Sequence, residues 1–218
     1  YNDVGNAKNW NEVLELGKKN IQKNELEKLK TAVLPNDLAT LIYTSGTTGT
    51  PKGVMLTHTN IVSNVKGIEP LPHVKPGDRA LSFLPLCHVY ERALTYMYMI
   101  HGVCIYYAEN MEAIGENLKE VKPTIFTTVP RLLEKVYDKI VLKGSALTGI
   151  KKKLFFWALN LGLKYEHYGA NGWWYEFQLS IANKLIFSKW REALGGNVLN
   201  IVSGGAALQP RLARVFCA

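Results

Sequence analysis

The stretch "YTSGTTGTPKG", residues 43–53, packs five hydroxyl side chains and two glycines into positions 44–50 and then adds Pro51 and Lys52. Small residues let a backbone curl until several N–H groups converge. Gly46, Gly49 and Gly53 can take the positive φ values that such an anion-binding nest requires. The hydroxyls of Thr44, Ser45, Thr47, Thr48 and Thr50 add donors, and Lys52 adds a mobile positive charge, so the natural guest is a phosphate chain. A Walker A loop is excluded. Starting at Gly46 it would need glycine at 51 and Ser or Thr at 53, where this chain has Pro51 and Gly53. Pro51 biases Thr50 towards extended backbone and keeps the loop from winding straight into a helix. The loop is therefore expected between two strands, closing over its ligand from outside. The competing reading, a plain Ser/Thr/Gly hairpin turn, gives no reason for the P-K-G that follows it.

Two further places carry small or reactive side chains. In "PLCHVYER", His88 stands just after a strand and at the start of a predicted helix. Cys87 and His88 are not a nucleophile and its base, because helical neighbours point about 100° apart and no third group at recognisable spacing orients them. In "VSGGAAL" a strand ends in Gly204, Gly205 and Ala206, which lets a flat or elongated ligand approach the backbone closely. A tight strand-to-helix turn would read identically. Cys87, Cys104 and Cys217 contain no C-x-x-C pair, so neither a disulfide framework nor a zinc site is indicated, and a reducing, cytoplasmic setting fits best.

The elements that position these residues follow from hydrophobic periodicity. "NWNEVLELGKKN" and "ELEKLKTAV" read as charged surface helices. "LATLIYTS" and "GVMLTH" read as strands on either side of the loop, followed by a helix over "HTNIVSNVKGI". Next come "RALSFLPL" (strand), "HVYERALTYMYMIHG" (helix), "VCIYYAE" (strand), "MEAIGENLKEVK" (helix), "TIFTTVP" (strand) and "PRLLEKVYDKIVLKG" (helix, with Pro130 at its start). Two long helical stretches, roughly 145–167 and 173–194, precede the strand "NVLNIVSGG" and the helix "QPRLARVF". Strands alternating with helices predict an α/β fold with a largely parallel sheet layered with helices.

At 218 residues and 47% hydrophobic content the chain can fill a substantial core. It has no initiating Met and no signal-peptide pattern, and it stops inside a predicted helix, so it is expected to be a piece of a longer protein. The formal charge of +8 is uneven. Positions 143, 151, 152, 153, 164, 184, 189 and 191 are Lys or Arg, against Glu at 166, 176 and 192, which leaves +5 there. Together with Phe155, Phe156, Trp157, Trp173, Trp174 and Trp190 this basic stretch suits peripheral contact with an anionic membrane face. A solvated basic face over an aromatic core accounts for it equally well. Nucleic acid is disfavoured because no recognisable RNA or DNA module is present. The longest apolar run, "ALTYMYMIHGVCIYYA", is too short for a spanning helix and reads as a core helix running into a strand.

Residues 41–58, "LIYTSGTTGTPKGVMLTH", resemble the phosphate-loop signature of the adenylate-forming ligases, the acyl-CoA synthetase superfamily. "LSFLPLCHVYER", "TTVPRLLEKVYDKI", "KLIFSKWREALGG" and "NIVSGGAAL" resemble its long-chain fatty acid–CoA ligase branch, in the same order along the chain. The resemblance runs from about Asp37 onward. With residues 1–36 read as a helical lead-in from their spacing and charge, the resemblance implies a partial AMP-binding domain over 37–218, part of a large N-terminal domain, with the C-terminal domain absent. It also implies ATP-dependent activation of a long-chain fatty acid to an acyl-adenylate and then to acyl-CoA, with ATP, Mg2+ and coenzyme A taking part. The positions from Thr44 through Ser45, Gly46, Thr47, Thr48, Gly49 and Thr50 to Lys52 would hold the phosphates. Thr47 or Thr48 would be a Mg2+ ligand, and Lys52 the main electrostatic contributor. His88 would lie near the activated carboxylate, and Gly204, Gly205 and Ala206 would form the wall between acyl chain and adenine. Long-chain members carry serine where Cys87 stands, which leaves packing as its simplest role. Glu91 and Arg92 either pair within the site or are solvated. The fragment alone is expected to be inactive, because the family's later motifs lie beyond it. A ligase for another carboxylic acid, or a nucleotide-binding module without catalysis, are the rival readings.

Overall fold

In the structure, a computed structural model that describes residues 7–44, 49–70 and 73–218, the chain opens with two helices that bury nothing. The side-chain oxygen of Asn9 caps α1 (Trp10–Lys19) by accepting from the Asn11 N–H at 3.0 Å. The i,i+3 pairs Lys18–Glu15, Lys28–Glu25 and Lys30–Glu27 line the exposed faces of α1 and α2 (Lys23–Ala32). The turn after α2 is tied within itself by Leu34 N–H donating to Asp37 Oδ2 at 2.8 Å, and to residues further along the chain by Thr59 N–H donating to Pro35 O at 2.8 Å. Strands β1 (Leu38–Thr44) and β2 (Lys52–Thr57) then form an antiparallel hairpin in which Leu41 faces Met55 and Thr44 faces Lys52, with a slip between Leu38 and Thr40. The chain divides into two units at Ile61/Val62. That boundary falls within α3 (His58–Ile68).

The larger unit is built on a four-stranded parallel sheet in the order β4-β3-β5-β6, from β3 (Arg79–Ser82), β4 (Cys104–Tyr107), β5 (Ile125–Thr128) and β6 (Asn200–Ser203). Helices α4 (Val89–Ile100) and α5 (Ile114–Val121) join successive strands. The expected α/β layering is what is found. β5 is buried at every position, as a strand covered on both faces must be. α4 buries Ala93, Leu94, Met97 and Tyr98, one helical face, which agrees with its reading as a core helix.

Between β5 and β6 the chain makes α6 (Pro130–Ser145), α7 (Gly149–Leu163), α8 (Trp173–Ala182), a π-helical turn at Asn183–Phe187 and α9 (Ser188–Ala193). The helix α10 (Pro210–Cys217) closes the chain. Leu133, Tyr137, Phe155, Leu159, Leu212 and Val215 form one apolar cluster among α6, α7 and α10. A second joins α7 to α8 through Leu161, Tyr175 and Leu179, where the buried Tyr175 hydroxyl donates to Leu161 O at 2.7 Å.

Several elements are shorter than periodicity predicts. β3 stops at Ser82 rather than continuing through "FLPL", because Phe83 leaves the strand to stack on Phe126 at 5.2 Å and the chain turns at Pro85, whose carbonyl accepts from His88 N–H at 2.9 Å. α7 begins only at Gly149, whose φ of 58° no β-branched residue would adopt comfortably.

Helices α6 and α7 approach so closely at Gly144 that a Cβ there would overlap the ring of Phe155. Gly144→Ala is expected to lower unfolding stability by about 1–3 kcal/mol through overpacking. Gly115→Ala in α5, with open space around it, should be neutral or stabilising by up to about 1 kcal/mol. Urea unfolding midpoints of the two variants check both.

Candidate functional site

The hydroxyl- and glycine-rich loop bridges the closed end of the β1–β2 hairpin, as its Pro51 requires. Thr44 and Lys52 are register partners, so the segment between them is held at both ends by the ladder. The Thr44 hydroxyl lies 3.5 Å from Lys52 O. Gly49 has φ 81°, the left-handed region that glycine adopts without strain. Thr44, Gly49, Thr50 and Lys52 are all exposed at this end of the hairpin. Ser45, Gly46, Thr47 and Thr48 lie outside the described residues. Gly53 faces the ring of Tyr43, where a Cβ would come within 3.4 Å.

In the larger unit the other candidate residues gather at one edge of the sheet. The chain leaves β3 on one side to form β4 and returns on the other to form β5, so the C-terminal ends of β3 and β5 flank a topological switch point. His88 follows β3 by six positions and is the N-cap of α4, exposed, with its carbonyl accepting from Arg92 N–H at 3.2 Å. Gly204 follows β6 directly, and its N–H donates to Thr128 O at 3.1 Å. Gly205 has φ 81°, and Gly205 and Ala206 are exposed.

Tyr90 brings the two segments together. Its hydroxyl lies 3.5 Å from Val202 O, and its ring fills the space that a Gly204 side chain would need. Burial pushes the Tyr90 phenol up to about 12, so it is neutral at ordinary pH. The glycine at 204 thus admits a side chain of the protein itself. Cys87 is exposed rather than packed, because the turn that presents His88 carries it outward.

Sequence reasoning missed a fully buried carboxyl group at this edge. Glu91 was expected to be paired or solvated, yet it has no exposed surface, and the Ser82 hydroxyl lies 2.5 Å from its Oε1. Burial raises its pKa, and the bond to Ser82 acts in the opposite direction. Thr127 and Thr128 at the end of β5 are buried beside this edge, and Ser203 Oγ has no hydrogen-bond partner among the described residues. A charged residue type in the first turn of a helix ordinarily signals solvent, so nothing in the spacing marked it. Among the described residues, no group of three or more His, Cys, Asp or Glu side chains could hold a metal ion.

Chemically, the hairpin end offers backbone and hydroxyl donors with one lysine, suited to a polyanion. The sheet edge offers an imidazole beside a turn of small residues, suited to a less polar group.

The family model described as "AMP-binding enzyme" matches residues 3–218. Long chain acyl-CoA synthetase 7, peroxisomal, of Arabidopsis thaliana is 39% identical over 179 residues, covering 81% of this chain and 24% of its own length. Fatty acyl-CoA synthetase A of Dictyostelium discoideum is 37% identical over 201 residues, covering 91% of this chain and 28% of its own. The chain thus spans about a quarter of the length of the curated relatives it matches. Among solved structures, the adenylation domain of a carboxylate reductase from Mycobacterium chelonae superposes with a TM-score of 0.58 at 26% identity, over 82% of this chain and 24% of that one.

The Tyr90–Gly204 contact can be tested by a double-mutant cycle. Gly204→Ala should destabilise by about 1–3 kcal/mol. In a Tyr90→Ala background the same change should cost clearly less, with a coupling of at least about 0.5 kcal/mol in urea unfolding. Additive effects would mean that the ring does not occupy that space.

Proposed function

This chain belongs to the AMP-binding enzyme family, and from that premise we propose that it is part of a long-chain fatty acid–CoA ligase. In that reaction a carboxylate oxygen of the fatty acid attacks the α-phosphorus of ATP, giving an acyl-adenylate and releasing pyrophosphate. The thiol of coenzyme A then attacks the acyl carbonyl and AMP leaves. The observation that carries the reading is the loop closed by Thr44 and Lys52 on a strand ladder, within a chain 35–39% identical to proteins named as long-chain or fatty acyl-CoA synthetases and ligases.

The loop is suited to the first step. Negative charge builds on the departing pyrophosphate, and donors fixed before the reaction can each be worth about 3–4 kcal/mol when aimed at such charge. Thr44, Ser45, Gly46, Thr47, Thr48, Gly49 and Thr50 supply those donors by backbone and hydroxyl groups, and Lys52 supplies the full positive charge. Mg2+ bound with ATP would neutralise phosphate charge. It takes hard oxygen ligands, the chemistry that the Thr47 and Thr48 hydroxyls offer. His88 orients the fatty-acid carboxylate, and Gly204, Gly205 and Ala206, backed by the Tyr90 ring, form the wall that separates acyl chain from adenine.

A specific observation favours peripheral membrane contact in the same protein. On α8 and the π-turn, Trp173, Trp174, Phe177, Ile181 and Leu185 repeat at helical spacing on an exposed face, with Trp173 79% exposed. Lys184 and Lys189 are exposed within or after that turn. Aromatic side chains beside lysines suit the headgroup region of an anionic bilayer, where a long-chain acid partitions. Among the described residues no helix is long and apolar enough to cross a membrane.

In the full-length protein, Lys52→Ala is expected to lower fatty-acid-dependent pyrophosphate release by about a hundredfold or more. An unchanged rate would remove the assigned role. Trp173→Ala with Trp174→Ala should weaken co-sedimentation with phosphatidylglycerol vesicles, and added salt should weaken it in the parent protein. Equal binding by parent and variant would count against this face.

A further inference from the structure

The proposed chemistry makes no use of Glu91, although it is the most thoroughly enclosed ionisable group at the sheet edge. It is the third residue of α4 and has no exposed surface. Its Oε1 meets Ser82 Oγ at 2.5 Å, while Oε2 is buried with no hydrogen-bond partner among the described residues. Among the described residues no Lys, Arg or His forms an ion pair with it. An ionised carboxylate in this place would leave charge on an oxygen that nothing binds. A protonated one leaves only an uncharged polar atom, a far smaller cost.

We propose that Glu91 is a positioning residue for the adenylation step, a neutral carboxylic acid that clamps the first turn of α4 to the end of β3 and thereby sets His88 and Tyr90 on the acyl side of the site. The inference rests on the ligase reading for its catalytic consequence, but not for the protonation itself. The clamp acts on the residues that lead up to Glu91. Three positions before Glu91 stands His88, the N-cap, and one position before it stands Tyr90, whose ring lies against Gly204 at the end of β6. Ser82 is the last residue of β3, so a single hydrogen bond joins the strand end to the helix start across the turn at 83–87. Burial is the main cause that lifts the Glu91 pKa, and the Ser82 bond opposes it. The titratable groups that act on it are Tyr90 and Tyr98 of its own helix, both raised chiefly by burial. From β3 it meets the non-titrating Ser82.

The experiment uses the full-length protein with three variants, Glu91→Gln, Glu91→Ala and Ser82→Ala. Gln preserves shape and neutrality, so its KM for the fatty acid should stay within about twofold of the parent. Glu91→Ala should raise that KM by about tenfold or more with the KM for ATP unchanged, and Ser82→Ala should shift it in the same direction. Protonation is read separately, by melting temperature against pH. The folded parent holds the Glu91 proton more tightly than the unfolded chain does. Its stability therefore falls as pH rises above the ordinary glutamate range, whereas the Gln variant has no such loss. The difference between the Gln variant and the parent should be flat at acid pH and grow in favour of Gln as pH climbs. A Gln variant as impaired as Ala, a loss shared equally by ATP, or a melting difference independent of pH would each overturn the proposal. If the parent itself releases no pyrophosphate with any fatty acid, the ligase reading falls, and the melting comparison still decides the state of Glu91.

Discussion

The larger unit depends on β5, four residues with no exposed position that hydrogen-bond to β3 on one side and to β6 on the other. Its entry is pinned at Thr124. The Thr124 N–H donates to Arg79 O, its hydroxyl accepts from Arg79 N–H, and its carbonyl accepts from both Leu199 and Asn200. Register is therefore set at the N-terminal edge of the sheet, away from the candidate site residues. The opposite edge inherits that alignment, so Ser82, Thr128 and Ser203 end their strands close to one another in the ladder and the turns that follow them begin from a common line.

From that line the side chains of a single helical turn reach in two directions. Tyr90 goes to β6 and Glu91 to β3, so the exposed imidazole of His88 is carried on a turn gripped from both sides. The arrangement separates holding from contact. Buried groups set the geometry, while the groups free to meet a ligand carry little of the packing. Such a division suits a surface whose partners vary in length but share one reacting end.

Much of this was legible in advance, and the exceptions have identifiable causes. The order of strands and helices follows from periodicity, and Pro51 and Gly53 correctly placed the loop between two strands. Element ends were not legible, since β3 stops at Ser82 for a stacking partner, Phe126, that lies more than forty positions away. The small size of residue 204 was visible, but not that Tyr90 would use the space. Glu91 escaped because residue type argues for solvent, and only the fold brings Ser82 to it. Cys87 was expected to pack and instead points outward on the turn that displays its neighbour. The central hydroxyls of the loop, at 45–48, fall outside the described residues, so the legible part there is its frame.

That frame has a consequence for the order in which the molecule assembles. Thr44 and Lys52 pair across eight positions, whereas Ile125 and Asn200 pair across seventy-five. A hairpin closes in about 1–10 μs, while a long-range parallel pairing must first overcome the entropy of the intervening chain. On a growing polypeptide the loop's frame can thus take shape while the strand that ends in Ser203 has not yet been synthesised. The hairpin that frames the loop is a local unit that does not wait for the sheet to be complete.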